Sequence, residues 1–126
     1  MILIFGGAYQ GKLAYAMKRF GLTDDDVFDC EVESVGVPGG KALIYGVEKW
    51  ILALVRAGGD IDDALRRFLE ECQDAIVICN DISCGVVPED PALRKWREAT
   101  GRALASFARA SGEVVRLFCG IPTTLK

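Results

Sequence analysis

The apolar run Met1-Ile-Leu-Ile-Phe5 stops abruptly at Gly6-Gly7, which is how a strand buried on both faces of a parallel sheet reads. From Lys12 to Phe20 the apolar positions Leu13, Ala16, Met17 and Phe20 recur at threes and fours, so the spacing predicts a helix, with Gly21 where a C-cap glycine belongs. A second strand is predicted at Val27–Val32, after the acidic turn Asp24-Asp25-Asp26, and the turn-rich segment Gly36-Val-Pro-Gly-Gly40 follows it. Leu43 to Val55 repeats at three and four and predicts a helix, although Ala42–Tyr45 also fits a short strand. Gly58-Gly59 closes that segment. Asp60 then caps a helix that turns Ile61, Ala64, Leu65, Phe68 and Leu69 inward as far as Cys72.

Ala75-Ile-Val-Ile-Cys79 is another fully apolar strand, and it ends in the polar pair Asn80-Asp81. Asp90 caps and Pro91 opens the longest helix, whose stripe of Leu93, Trp96, Thr100, Ala103, Leu104 and Phe107 runs to a stop at Gly112. Val114–Cys119 is the last strand, before Gly120-Ile-Pro122. Strands alternating with helices over residues 1–126 imply a single α/β domain with a mostly parallel sheet flanked by helices and joined by right-handed crossovers, and the glycine loop Gly6–Lys12 described below makes the expected domain a P-loop-type one.

Composition narrows the chemistry. A chain of 126 residues, 51% apolar with a formal net charge of −3, supports one core and is not a disordered segment. Fifteen basic against 18 acidic side chains lack the excess that a nucleic-acid face needs. The absence of histidine removes imidazole as base, nucleophile, phosphoryl carrier or metal ligand on this chain. Cysteines at 30, 72, 79, 84 and 119 form no C-x-x-C pair, so neither a disulfide framework nor a zinc site is indicated, and a reducing cytoplasm is the expected setting. Cys30, Cys79, Cys84 and Cys119 fall near strand ends and read as small buried hydrophobes rather than nucleophiles. Met1–Phe5 is too short, and lacks the basic flank, for a signal peptide or membrane span.

The sharpest local signal is Gly6-Gly7-Ala8-Tyr9-Gln10-Gly11-Lys12, which fits G-x-x-x-x-G-K between a strand and a helix. Loop amides and the positive helix end suit phosphate oxygens, and Lys12 adds a mobile charge toward the terminal phosphates of ATP or GTP. Leu13 then stands where Ser or Thr would offer Mg²⁺ a hydroxyl. An acid at the end of the neighbouring strand suits a metal or its water shell, and Asp29 or Glu31 is placed for that role or else is an exposed strand-end carboxylate. Asp81 precedes the loop Ile82-Ser-Cys-Gly-Val-Val-Pro88, a position suited to a general base for a substrate hydroxyl. Arg94, Arg97 and Arg102 lie on the long helix, within reach of an anionic group or on a solvated face with Glu98.

The stretch Ile76 to Pro88, the segment Leu93-Arg-Lys-Trp-Arg-Glu-Ala-Thr-Gly-Arg102 and the close Gly120-Ile-Pro122 with Leu125-Lys126 resemble the adenosylcobinamide kinase / adenosylcobinamide-phosphate guanylyltransferase family. That family carries an Asn-Glu-Val-Gly-x-Gly-Ile-Val-Pro loop, an Arg-x-Phe-Arg-Asp-x-x-Gly-Arg helix and a Gly-Ile-Pro strand end. The resemblance implies a nucleotide-binding α/β fold, a role in corrinoid (vitamin B12) assembly, and transfer of a γ-phosphate to the hydroxyl of adenosylcobinamide. The family's second step, guanylylation through a covalent histidine, is not available to a chain without histidine. The segment between Phe20 and Lys41 is also shorter than in full-length members, Asp81 replaces the family Glu, and Leu104-Ala105 replace Asn-Gln. The implied catalytic set is Lys12, Asp81 and Arg97; the implied partners are a nucleoside triphosphate, a corrinoid and further copies of the chain. A non-catalytic nucleotide- or corrinoid-binding regulatory or scaffold module is the alternative.

Overall fold

A computed structural model describes residues 1–83 and 85–126; the expectation for Cys84 lies outside the described residues. Eleven elements follow in order: β1 (Ile2–Gly6), α1 (Lys12–Phe20), a 3-10 turn (Asp24–Asp26), β2 (Val27–Asp29), β3 (Leu43–Tyr45), α2 (Val47–Ala57), α3 (Ile61–Glu71), β4 (Ile76–Asn80), α4 (Pro91–Ala110), β5 (Glu113–Phe118) and β6 (Ile121–Thr124). They build one six-stranded sheet in the order β2-β3-β4-β1-β5-β6, parallel except for the antiparallel β5–β6 pair. The α/β expectation is met.

Handedness explains where the helices sit. The chain leaves β1 toward β2 on one side and leaves β4 toward β5 on the other. Right-handed crossovers in opposite directions must place their helices on opposite faces. Accordingly α1 packs with Ile4, Leu43, Ile78, Val115 and Leu117, while α2, α3 and α4 cover the other face around Leu3, Ile44 and Val77. Under those three helices Trp50 stacks on Phe68 at 5.4 Å between ring centroids, and Phe68 meets Phe107 at 5.1 Å. Burying each such ring contributes about 1.5–3 kcal/mol. β1 and β4 are adjacent, and their outgoing connections part to opposite faces, so the crevice beyond their carboxyl ends is the place where this architecture binds ligands.

Glycine sets two of the joints. A Cβ on Gly6 would lie 2.3 Å from the Leu117 carbonyl oxygen, so β1 approaches β5 closely only because that position has no side chain. Gly46 lies in the left-handed region at φ 74° and divides the segment Leu43–Val55, which is strand β3 followed by helix α2 and not one helix. The periodicity misled because Leu43, Ile44 and Val47 are all fully buried, a strand enclosed on both faces showing no alternation. β2 is shorter than expected and stops at Asp29. The last strand is Glu113–Phe118, and it turns back through Cys119 (φ 51°) and Gly120 (φ 74°) into β6, a hairpin that the Gly-Ile-Pro segment did not announce. The caps at Gly21, Asp60 and Asp90 stand as expected.

Candidate functional site

The Gly6–Lys12 loop leaves β1 into the crevice. Tyr9 and Gly11 both take positive φ, 59° and 83°, and Gly11 opens α1 without a side-chain cap. Among the described residues, the amides of Gly7 through Lys12 meet no protein acceptor. A row of unpartnered N–H groups at a helix N-terminus is an anion-binding arrangement. Ala8, Tyr9, Gln10, Gly11, Lys12, Leu13, Ala14, Tyr45 and Asn80 line a cavity of about 340 Å³ beside it.

Charge is concentrated at this spot. Among the described residues the buried charged side chains are Lys12, 5% exposed, and Glu48, 4% exposed. The Lys12 Nζ spans the loop to donate to the Gly7 carbonyl at 2.5 Å. Burial holds its ammonium below the usual lysine value, and the charge of Glu48 and the thiol of Cys79 oppose that shift. Glu48 stands in the first turn of α2, where a carboxylate complements the helix dipole. Its Oε2 accepts from the Asn80 backbone N–H at 3.0 Å and its Oε1 from Asn80 Nδ2 at 2.7 Å. Trp96 Nε1 of α4 donates to the Glu48 carbonyl at 2.7 Å.

Asp81 follows at once. Its backbone N–H donates to the Gly6 carbonyl at 2.8 Å, joining the end of β4 to the start of the loop. Its Oδ1 accepts from the Ser83 amide at 2.9 Å and from Ser83 Oγ at 2.5 Å. The half-buried Arg97 donates to the carbonyls of Ser83 and, at 3.4 Å, Gly85, so it ties down the turn after Asp81. Arg94 instead reaches the Glu89 carbonyl at 3.0 Å, and Arg102 pairs with Asp62 at 3.3 Å on the solvated side. Gln10 Oε1 accepts from the Cys119 amide, bracing the loop against the β5–β6 turn.

The sheet order corrects one expectation. Asp29 does not end the strand beside β1: β3 and β4 intervene, three strand spacings or about 14 Å. Its carboxylate is paired with Lys49 Nζ at 2.6 Å, and Glu31 is exposed in the turn beyond. The strands beside β1 are β4 and β5, and the acids at the end of β4 are Asp81, which follows it, and Glu48, which accepts from Asn80. Glu48 was hidden in the sequence by its apolar neighbours Val47, Trp50 and Ile51; the available signal was a single acid on an otherwise buried helical stripe. No group of three or more His, Cys, Asp or Glu gathers among the described residues. Cys30, Cys72 and Cys79 are buried, and burial pushes the Cys30 thiol up to about 12 and the Cys79 thiol well above its ordinary value, which leaves both unreactive. Cys119, by contrast, is exposed. No helix among the described residues is long and apolar enough to cross a membrane.

Over 83 residues, 63% of this chain and 45% of the relative, the sequence is 29% identical to the bifunctional adenosylcobalamin biosynthesis protein CobU of Salmonella typhimurium. The matched stretch thus spans less than half of that curated relative. A family model described as cobinamide kinase / cobinamide phosphate guanyltransferase matches residues 40–125, from the approach to β3 through β6, and leaves the Gly6–Lys12 loop to be judged on its own geometry. With most of its length matched in this way, the chain belongs to the cobinamide kinase / cobinamide phosphate guanyltransferase family.

Proposed function

We propose that residues 1–126 form one nucleotide-binding domain that holds ATP or GTP on the Gly6–Lys12 loop and passes the γ-phosphate to the hydroxyl of cobinamide or a related alcohol. The observation that carries this reading is the buried Lys12 ammonium inside a loop whose amides meet no protein acceptor among the described residues, with Asp81 hydrogen-bonded to that loop's first carbonyl. Amides of the loop bind the β- and γ-phosphate oxygens. Lys12, with three donors and one in use on Gly7, turns the others to the transferring group. Asp81 orients the acceptor hydroxyl and takes its proton as the new O–P bond forms and the bridging P–O bond breaks, releasing the nucleoside diphosphate. Arg97 holds the carbonyls of Ser83 and Gly85, and with Ser83 keeps Asp81 in place.

Mg²⁺ carried on the triphosphate needs few protein oxygens, since it keeps several waters and phosphate ligands. Leu13 supplies none, and Asn80 and Asp81 are the side chains at the end of β4 that would hold its water shell. When bound it neutralises charge on the phosphates. Guanylylation through a covalent histidine has no counterpart on this chain. The family reading also carries a cytoplasmic setting and self-association as expectations.

Leu13 and the engagement of Asp81 by Ser83 favour a second reading, a nucleotide- or corrinoid-binding module without transfer. Titration calorimetry with ATP and GTP, with and without Mg²⁺, separates both from the absence of a site: no heat at millimolar nucleotide ends the proposal. Incubation with γ-labelled nucleotide and adenosylcobinamide then decides between them. Label transfer that disappears in Lys12→Ala supports the kinase, and binding without transfer supports the module.

A further inference from the structure

Glu48 is the buried charge that the proposed transfer does not use. Removing a carboxylate from water is costly, and such a group persists where partners satisfy it. Here both oxygens are engaged, and by a single residue: Asn80, through its main chain and its side chain. Asn80 is the last residue of β4 and pairs in register with Gly6, the last residue of β1. The next amide, that of Asp81, bonds back to the Gly6 carbonyl. The Glu48 main chain is itself held from α4 by Trp96.

We propose that Glu48 is a positioning residue for the loop site: by clamping Asn80 it sets where β4 ends and so holds the Asp81 turn against the first carbonyl of the Gly6–Lys12 loop. This rests on the nucleotide reading above. The clamp needs two acceptor oxygens on one side chain, reaching two donors of one residue. Glutamine offers one such oxygen, and aspartate is shorter by a methylene. A second effect follows from the charge. Among the described residues, the titratable groups about Lys12 are Glu48 on α2 and Cys79 on β4, with Asp81 beyond Cys79. Of these, Glu48 does most to favour the protonated ammonium.

The experiment compares the wild-type chain with Glu48→Gln, Glu48→Asp and Asn80→Ala, using titration calorimetry with ATP between pH 7 and 10 and amide hydrogen exchange. Glu48→Gln is expected to remain folded, to bind ATP about tenfold more weakly, and to show faster exchange at the Asn80 and Asp81 amides. The alkaline fall in its binding shifts to lower pH, because the lysine has lost the charge that favoured its protonation. Asn80→Ala reproduces the weaker binding without the pH shift, and adding it to Glu48→Gln costs less than the two losses combined. A residue serving only stability would lower the melting temperature and leave the affinity and pH profile of the folded protein unchanged. That result overturns this inference while the nucleotide reading stands. If the wild type binds no ATP, both fall together. Should Glu48→Gln fail to fold, Glu48→Asp and Asn80→Ala carry the test, and unchanged binding in both overturns it.

Discussion

Two lysines stand near the carboxyl ends of strands of the same sheet, and their surroundings differ in kind. Lys49 follows β3, its side chain is a third exposed, and it meets Asp29 at 2.6 Å beside the Tyr45 ring. Partial burial lowers its affinity for a proton, but Asp29, with Glu48 and Tyr45, outweighs that, and the ammonium ends above the usual lysine value. Lys12 is buried, donates to the Gly7 carbonyl, and ends below that value. Lys49 is a satisfied surface ion. Lys12 is a buried charge with little to offset it, and on the function proposed above that imbalance, more than the glycine spacing around it, suits the crevice to an anion.

The contrast can be broken in four ways. The largest effect belongs to the chemistry beside Lys12. Asp81→Asn is expected to slow label transfer to adenosylcobinamide by about 10²–10⁴-fold with ATP affinity nearly intact. A rate within threefold of wild type removes Asp81 from proton transfer. Next comes Lys12→Met, which should weaken ATP binding by roughly 100-fold in calorimetry, about 2.7 kcal/mol.

The same variant should not lose stability to urea, because it deletes a desolvated charge. The sign is explicit: a lysine whose folded pKa lies below its unfolded value leaves the unfolded chain holding more protons, so wild-type stability rises with pH between the lowered pKa and 10.5. Lys12→Met abolishes that rise, and a marked destabilisation at pH 7 would show that the ammonium serves the fold.

Third, Asp29→Asn and Glu31→Gln should leave ATP affinity and its Mg²⁺ dependence within about twofold, since three strand spacings separate β2 from β1. A tenfold loss would restore the metal role expected from the sequence. Smallest is Lys49→Met: breaking a largely solvated pair should cost about 0.2–1 kcal/mol in urea unfolding and nothing in binding.

Much of the architecture was readable because local rules acted alone. The helix at Lys12–Phe20, the caps at Asp60 and Asp90 and the apolar strand before Asn80 follow from spacing and end residues. The misreadings lie where tertiary burial overrode periodicity. β3 is enclosed on both faces and so shows no alternation, and β6 forms only because Cys119 and Gly120 adopt positive φ. The loop and Asp81 were visible as motifs. Glu48 was not, because strand order and not local spacing brings α2 beside the end of β4. The misplacement of Asp29 has the same origin: consecutive strands in sequence need not be neighbours in the sheet, and β2 lies at its edge.

The contact between Gln10 and Cys119 closes a separation of 109 residues, and β1 lies between two strands that both come later in the chain. Contacts of such long range form late, after the entropy of closing a large loop has been met. A nascent chain that has emerged only as far as α4 lacks the β5 carbonyl against which Gly6 nests and the turn that braces Gln10. On the function proposed above, nucleotide capture is a late acquisition of the maturing fold, and ATP present during refolding should speed the final docking of β5 without altering the early collapse of α2, α3 and α4.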